Sequence, residues 1–358
     1  MTVFQRTIDG LEISVKLPST RYLGSKRKMV KWIWENVRHL SFDSFLDIMG
    51  GTGVVGFCAK RRGKRVLYND ILKFNYQVGV ATIENGYETI TPQELALITS
   101  RHGDIPYPSF IEDTFSEIYY TDEENAWLDM VITNIDHFLR NRYKRALAWA
   151  ALGQACLVKR PFNLFHRKNL YLRFQHVSRS FGNKTTWDTP FPAHFVNFVR
   201  EYNSLVFDNG RDNKALNCDV FDLDIASEAP DLVYIDPPYL PVKGDKPDYH
   251  LYYHFLEGMV DYVTWPQMIN GENRIKPMRY TPSPWTNGHT IYDAFDRLFQ
   301  KLRDVPFIVL SYNSEGVPSQ EELFSMLRKY KRNVDLAVKE YQYVLSKQRP
   351  KELLFAAY

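Results

Sequence analysis

The sequence predicts a doubly wound α/β fold. Its sheet is open and mostly parallel, is interrupted by an inserted, mostly helical segment, and is finished by an antiparallel strand pair. Three observations predict it. Apolar strand-like runs alternate with helical periodicity along most of the chain. An early strand runs straight into a Gly-rich turn that opens a helix. A later apolar strand, residues 231–235, is stopped by the two prolines of Asp236-Pro237-Pro238-Tyr239, which cannot donate to a ladder.

The chain has 358 residues, 44% of them hydrophobic, enough for a sizeable core. That length fits two or three domains, or one large domain with an insertion. Residues 1–20 read as a short hairpin or extended lead-in closed by Pro18. Ser25 is placed to cap a helix over about 26–40 with Met29, Ile33 and Val37 on one face. Lys26 falls in its first turn, a mildly unfavourable place for a cation, and a ligand carboxylate held there would resolve the conflict. Residues 43–49 form a strand that enters Gly50-Gly51-Thr52-Gly53-Val54-Val55-Gly56 and then a helix to about Arg62. The next strand, 65–69, finishes at Asp70. The glycines let backbone approach a ligand closely, and Asp70 is placed for ribose hydroxyls. This unit predicts an adenosine-bearing cofactor and does not separate a dinucleotide from S-adenosylmethionine.

Residues 72–157 read as mostly helical. Trp127, Val131, Ile135 and Phe138 share one helical face, and 143–158 form a buried helix. From Lys159 to Trp187 there are seven cations and no acid: Lys159, Arg160, Arg167, Lys168, Arg173, Arg179 and Lys184. Aromatic rings and amides are interleaved with them. The pattern fits an ordinary basic hairpin, but with no compensating acid it favours phosphate contact. A helix over 191–206 follows, then a strand over 214–220 that puts Asp219 near its carboxyl end. Residues 240–290, rich in Pro, Tyr and Trp, show no clear regular structure, and such lengths are usually functional or mobile. A helix at 292–303, a strand at 307–311, a helix at 320–330 and closing strands at 333–345 and 352–358 complete the chain.

The proline corner suits one reaction. An exocyclic amine on a nucleobase is a poor nucleophile, because its lone pair is delocalised into the ring. A carboxylate and a backbone carbonyl accepting its hydrogens would favour a tetrahedral nitrogen and stabilise the positive charge that develops on it. A neighbouring aromatic ring can stack on the base. The corner resembles the Asp-Pro-Pro-Tyr motif of DNA amino-methyltransferases. The parts in this order resemble the alpha-class N6-adenine DNA methyltransferases, the Dam-like family, over most of the chain. Gly24-Ser25-Lys26, preceded by Tyr22, is similar to the family's Gly-Gly-Lys signature, with Ser25 replacing a glycine. Asp47, Gly51 and Gly53 match its cofactor signature, with Met49 replacing a phenylalanine.

The resemblance implies a Rossmann-like methyltransferase fold that uses S-adenosylmethionine. Its catalytic part would be 1–85 with 210–358, and its target-recognition insertion 86–209. It implies cofactor binding by Tyr22, Lys26, Asp47, Gly51, Gly53, Asp70 (ribose), Asp219 (adenine) and Asp236, and catalysis by Asp236, Pro237 and Tyr239, with no metal. It implies duplex DNA as substrate, with the adenine flipped out and methylated directly. Composition adds Arg167, Lys168, Arg173, Arg179 and Lys184 as DNA contacts. Pairing with a separately encoded restriction endonuclease fits the resemblance, and no obligate protein partner is implied.

The net charge of +3 points to no partner by itself. Cys58, Cys156 and Cys218 have neither disulfide nor zinc spacing, which predicts a reducing, cytoplasmic setting. No apolar stretch reaches membrane-spanning length. Three other readings compete. An RNA N6-adenine methyltransferase would carry a smaller recognition insert. An NAD-dependent oxidoreductase leaves the proline corner and the basic stretch unexplained. A non-catalytic DNA-binding subunit has no need of Asp236.

Overall fold

The computed structural model describes residues 18–175, 184–243, 246–340 and 351–358. The strands are β1 (Ser44–Asp47), β2 (Arg65–Asn69), β3 (Lys214–Leu216), β4 (Leu232–Ile235), β5 (Phe307–Asn313), β6 (Val334–Glu340) and β7 (Lys351–Ala357). They form one sheet in the order β3-β2-β1-β4-β5-β7-β6. β7 runs antiparallel to both β5 and β6, and the other pairings are parallel. This is the doubly wound sheet expected from the sequence, and its winding reverses between β1 and β4.

Side-chain alternation explains why both faces are covered. Phe45, Val66, Tyr68, Leu232, Tyr234 and Val309 enter one apolar cluster, while Leu46, Leu67, Val233, Ile235, Ile308 and Leu310 enter the other. The first cluster continues without a break into residues 86–209, expected from the sequence as an insertion. There the helix Arg142–Lys159 packs against Lys73–Gly79, Phe191–Asn203 and Tyr249–Val260. The helices Ile291–Lys301 and Gln320–Arg328 cover the second face. Among the described residues no helix is long and apolar enough to cross a membrane.

Several expected elements differ. The helix over 26–40 divides into a 3-10 turn, Lys26–Lys28, and an α-helix, Val30–Val37, and the Ser25 side chain caps neither. Its hydroxyl lies 3.4 Å from the Thr52 hydroxyl instead. β3 ends at Leu216 because the Asn69 amide takes over from the ladder, accepting the Cys218 N–H at 3.1 Å and donating to the Cys218 carbonyl at 3.0 Å. Residues 240–290 are not structureless. Asp248 caps a helix, Tyr249–Val260, by accepting the Leu251 N–H at 3.0 Å. Its run of aromatic and histidine residues has modest helix propensity and hides the period; burial of Tyr253, Phe255, Leu256 and Met259 decides it. Of the expected lead-in, residues 1–17 lie outside the described residues, as do 341–345 of the first closing strand and the connection at 347–350.

Candidate active site

Beyond the carboxyl ends of β1 and β4, where the winding reverses, lies a cleft of about 500 Å³. Tyr22, Lys26, Asp47, Gly51, Asp70 and Asp219 line it, and so do Asp236, Pro237 and Tyr239. Gly53 stands at the start of the helix Val54–Arg61, with φ 68°. Of the cofactor and catalytic residues expected from the sequence, all but Gly53 therefore line one cleft.

The Gly-rich turn is built around Tyr68. A Cβ on Gly50 would fall 2.1 Å from the Tyr68 ring, and one on Gly79 would fall 2.3 Å from it. Only glycine lets the turn close over this side chain, whose hydroxyl donates to the Gly51 carbonyl at 2.7 Å. Gly51 itself has φ 52°, a left-handed value that glycine adopts without strain. Its N–H donates to Asp70 at 2.8 Å, and the Leu72 N–H donates to the other Asp70 oxygen at 2.9 Å. Burial pushes Asp70 up to about 6, against the pull of these two bonds. Asn75 adds a side-chain hydrogen bond, and with three donors on two oxygens the carboxylate keeps one lone pair for a ligand hydroxyl. Asp47 is 1% exposed and accepts the Gly56 N–H at 3.0 Å, so it braces the turn. Burial pushes Asp47 up to about 7. Tyr22 stacks on Tyr253 at 4.5 Å and 8°, which fixes one wall. Asp219 accepts the Phe221 N–H at 3.0 Å.

At the other end of the cleft, Lys26 is buried and far from the solvated first-turn position. Its ammonium lies 3.2 Å from Asp236 Oδ1 and 2.9 Å from Glu352 Oε1, and it also donates to the Tyr239 hydroxyl. The expected partner, a ligand carboxylate, is thus replaced by two carboxylates of the protein. The Tyr239 hydroxyl sits 2.9 Å from Asp236 Oδ1 and 2.8 Å from Glu352 Oε1, while its ring carries the Lys26 ammonium 4.4 Å from its centre. Burial pushes Asp236 up to about 6; Lys26 lowers it and Glu352 raises it.

Residues 22–261 match the D12 class N6 adenine-specific DNA methyltransferase family. The chain belongs to that family. It is an adenine-specific DNA methyltransferase, which removes the oxidoreductase reading. Over 349 residues it is 32% identical to the Type II methyltransferase M2.HphI of Haemophilus parahaemolyticus, covering 95% of this chain and 97% of that protein. It is 26% identical to the Type II methyltransferase M.FokI of Planomicrobium okeanokoites, covering 87% of this chain but only 47% of that longer protein. It is 25% identical to the Type II methyltransferase M.NlaIII of Neisseria lactamica, covering 90% and 91%.

The basic stretch of this methyltransferase divides in two. Arg173 is not a surface cation: it is buried and grips both Glu124 oxygens, at 2.6 and 2.7 Å. Lys159 meets the same carboxylate at 2.7 Å. Arg160 is 1% exposed and donates to the Leu164 and Arg167 carbonyls at 3.0 and 2.7 Å. The missing acid is supplied by the helix Asp122–Phe138, so Arg173 is withdrawn as a DNA contact. Arg167, Lys168 and Lys184 are exposed, and so are the rings of Phe162, Tyr171 and Phe174 beside them in the chain. Arg179 lies outside the described residues.

Three features escaped the sequence reading. Glu352 on β7 reaches the proline corner, and the one hint in the sequence, the first-turn charge of Lys26, suggests a ligand carboxylate instead. Residues 247–250 and 281–286 supply cleft wall from the segment read as irregular. Tyr253 backs Tyr22, and the Tyr253 hydroxyl accepts the Leu23 N–H at 2.8 Å.

Proposed function

We propose that the methyltransferase binds S-adenosylmethionine in this cleft and methylates N6 of an adenine that has been turned out of duplex DNA at a specific sequence. The observation that carries the proposal is the junction of the two halves: Asp236 of the proline corner and Asp70 of the Gly-rich unit line one continuous space. The left-handed Gly51, the acid at the end of β2 and the stacked wall of Tyr22 fit an adenosine-bearing ligand. Tyr22, Gly51, Asp70 and Asp219 would hold it, with Asp47 and Gly53 shaping the turn beneath. Once bound, it supplies a methyl group on a positively charged sulfur.

The protein's own groups prepare the amine. Asp236 accepts an N6 hydrogen and stabilises the positive charge that grows on nitrogen. Pro237 holds the corner and offers its carbonyl as the second acceptor. Tyr239 is held by its hydroxyl at the catalytic end, so its ring forms a fixed surface for the base. Walls from 247–250 and 281–286 exclude water around the reacting nitrogen.

The order of parts along the chain supports placement in the Dam-like alpha subclass, with 1–85 and 210–358 catalytic and 86–209 reading the target. Arg167, Lys168 and Lys184 would meet phosphates. The names of the relatives support work beside a separately encoded restriction endonuclease, and genomic DNA as substrate supports a cytoplasmic location. Incubation with tritiated S-adenosylmethionine and duplex DNA, followed by nucleoside analysis, should give labelled N6-methyladenine. Label entering RNA alone would redirect the assignment.

A further inference from the structure

Glu352 has no place in the reaction as described, yet it is among the most constrained side chains of the site. It is 2% exposed and sits on β7, where its backbone is in register with Asn313 of β5 on one side and Lys339 of β6 on the other. One of its oxygens, Oε1, gathers three groups: the Lys26 ammonium at 2.9 Å, the Tyr239 hydroxyl at 2.8 Å and the Ser311 hydroxyl at 2.7 Å. A neutral amide could have satisfied the two hydroxyls. A full charge buried here is costly unless something needs it.

We propose that Glu352 is a positioning residue for methyl transfer, which draws Lys26 toward β7 and so leaves Asp236 with uncompensated negative charge for the adenine amine. The charge balance supports this. With all three groups ionised, Asp236, Lys26 and Glu352 sum to one negative charge. The ammonium lies closer to Glu352 than to Asp236, at 2.9 against 3.2 Å. Without the Glu352 charge, the Lys26 ammonium would turn further toward Asp236, and a neutralised carboxylate is a poorer partner for a nitrogen becoming positive. The inference rests on the reading that Asp236 accepts the amine.

The test uses the full chain with Glu352→Gln, Lys26→Gln, the double variant and Asp236→Asn. It follows single-turnover methyl transfer to adenine-containing duplex DNA across pH, and cofactor binding by calorimetry. The titratable groups around Asp236 are Lys26 from the 3-10 turn, Tyr234 from β4, Tyr239 from the corner, Asp47 from β1 and Glu352 from β7. Glu352→Gln should slow transfer by roughly 10-fold to 100-fold, taking by analogy the scale seen when a partner that orients a metal ligand is removed. The acid limb of the rate profile should move to lower pH, since one neighbouring negative charge is gone, while cofactor affinity is unchanged. Because Glu352 acts through Lys26, the double variant should be no slower than Lys26→Gln. That comparison also removes both buried charges together, so it stands even if Glu352→Gln alone does not fold. A normal rate with an unmoved acid limb in Glu352→Gln would overturn the inference, as would a double variant slower than Lys26→Gln. Transfer that survives in Asp236→Asn would instead reject the reading of the site itself.

Discussion

Arg173 and Glu124 form a two-pronged ion pair, the two terminal guanidinium nitrogens each donating to one carboxylate oxygen, at 2.6 and 2.7 Å. Glu124 also closes the capping box with Thr121 that starts its own helix. Arg173→Ala should therefore act on folding. It breaks a buried pair, but Lys159 still meets Glu124 at 2.7 Å, so the loss should fall below the cost of about 3–5 kcal/mol for a buried charge left without any partner. Urea denaturation measures it.

The exposed cations should behave in the opposite way. Neutralising Arg167, Lys168 and Lys184 together should leave stability nearly unchanged and weaken binding to all duplex DNA. The slope of log affinity against log salt should flatten by about one unit for each phosphate that is no longer neutralised. Fluorescence anisotropy over a salt series reads both, and an unchanged slope would place the phosphate-binding surface elsewhere on the molecule.

Lys26→Met leaves Asp236 and Glu352 as two buried carboxylates without their shared cation. Asp236 should then titrate above its present value of about 6, and transfer should fall at neutral pH. Cofactor affinity should suffer less than the rate, because the ammonium is already engaged by protein carboxylates. Calorimetry beside single-turnover kinetics separates the two.

Buried acids also set a pH dependence of stability. Asp47 and Glu257 are pushed up to about 7, and Asp70 and Asp236 to about 6, in each case mainly by burial. A carboxyl whose folded value is raised stabilises the fold below its unfolded value, and that contribution is lost as pH rises through the folded value. Across about pH 4 to 7 these four groups thus favour the fold more at the acidic end. The protein without cofactor should resist urea better at pH 5.5 than at pH 7.5, and Asp47→Asn should reduce the difference. For catalysis the sign reverses: transfer should fall as pH drops below about 6, where Asp236 takes up its proton.

Gly50→Ala should disable the cleft without touching the proline corner. Its Cβ would meet the Tyr68 ring at 2.1 Å, and overpacking of this kind costs about 1–3 kcal/mol. Thermal melting should show the loss, and S-adenosylmethionine should no longer raise the melting temperature.

These outcomes separate what was legible in the sequence from what was not. The turn 50–56 and the corner 236–239 were legible because glycine and proline restrict their own backbone, so local sequence determines local shape. The strands were legible because burial on both faces leaves a continuous apolar run. Glu352 was not, since it stands 113 residues from Tyr239 and meets it only after β7 inserts beside β5. Arg173 misled for the same reason: counting charge within 159–187 cannot include Glu124, which arrives from another helix. The helix Tyr249–Val260 was hidden because tertiary burial, and not intrinsic propensity, forms it.

The most direct test of the central claim is methyl transfer by Asp236→Ala to duplex DNA, with cofactor binding followed in the same preparation. Loss of the carboxylate that accepts the amine hydrogen bond and stabilises its growing charge should lower the rate by about 10²- to 10³-fold, while S-adenosylmethionine still binds in the Gly-rich half of the cleft. Labelled N6-methyladenine formed by the variant at a rate near that of the unaltered protein would contradict the account.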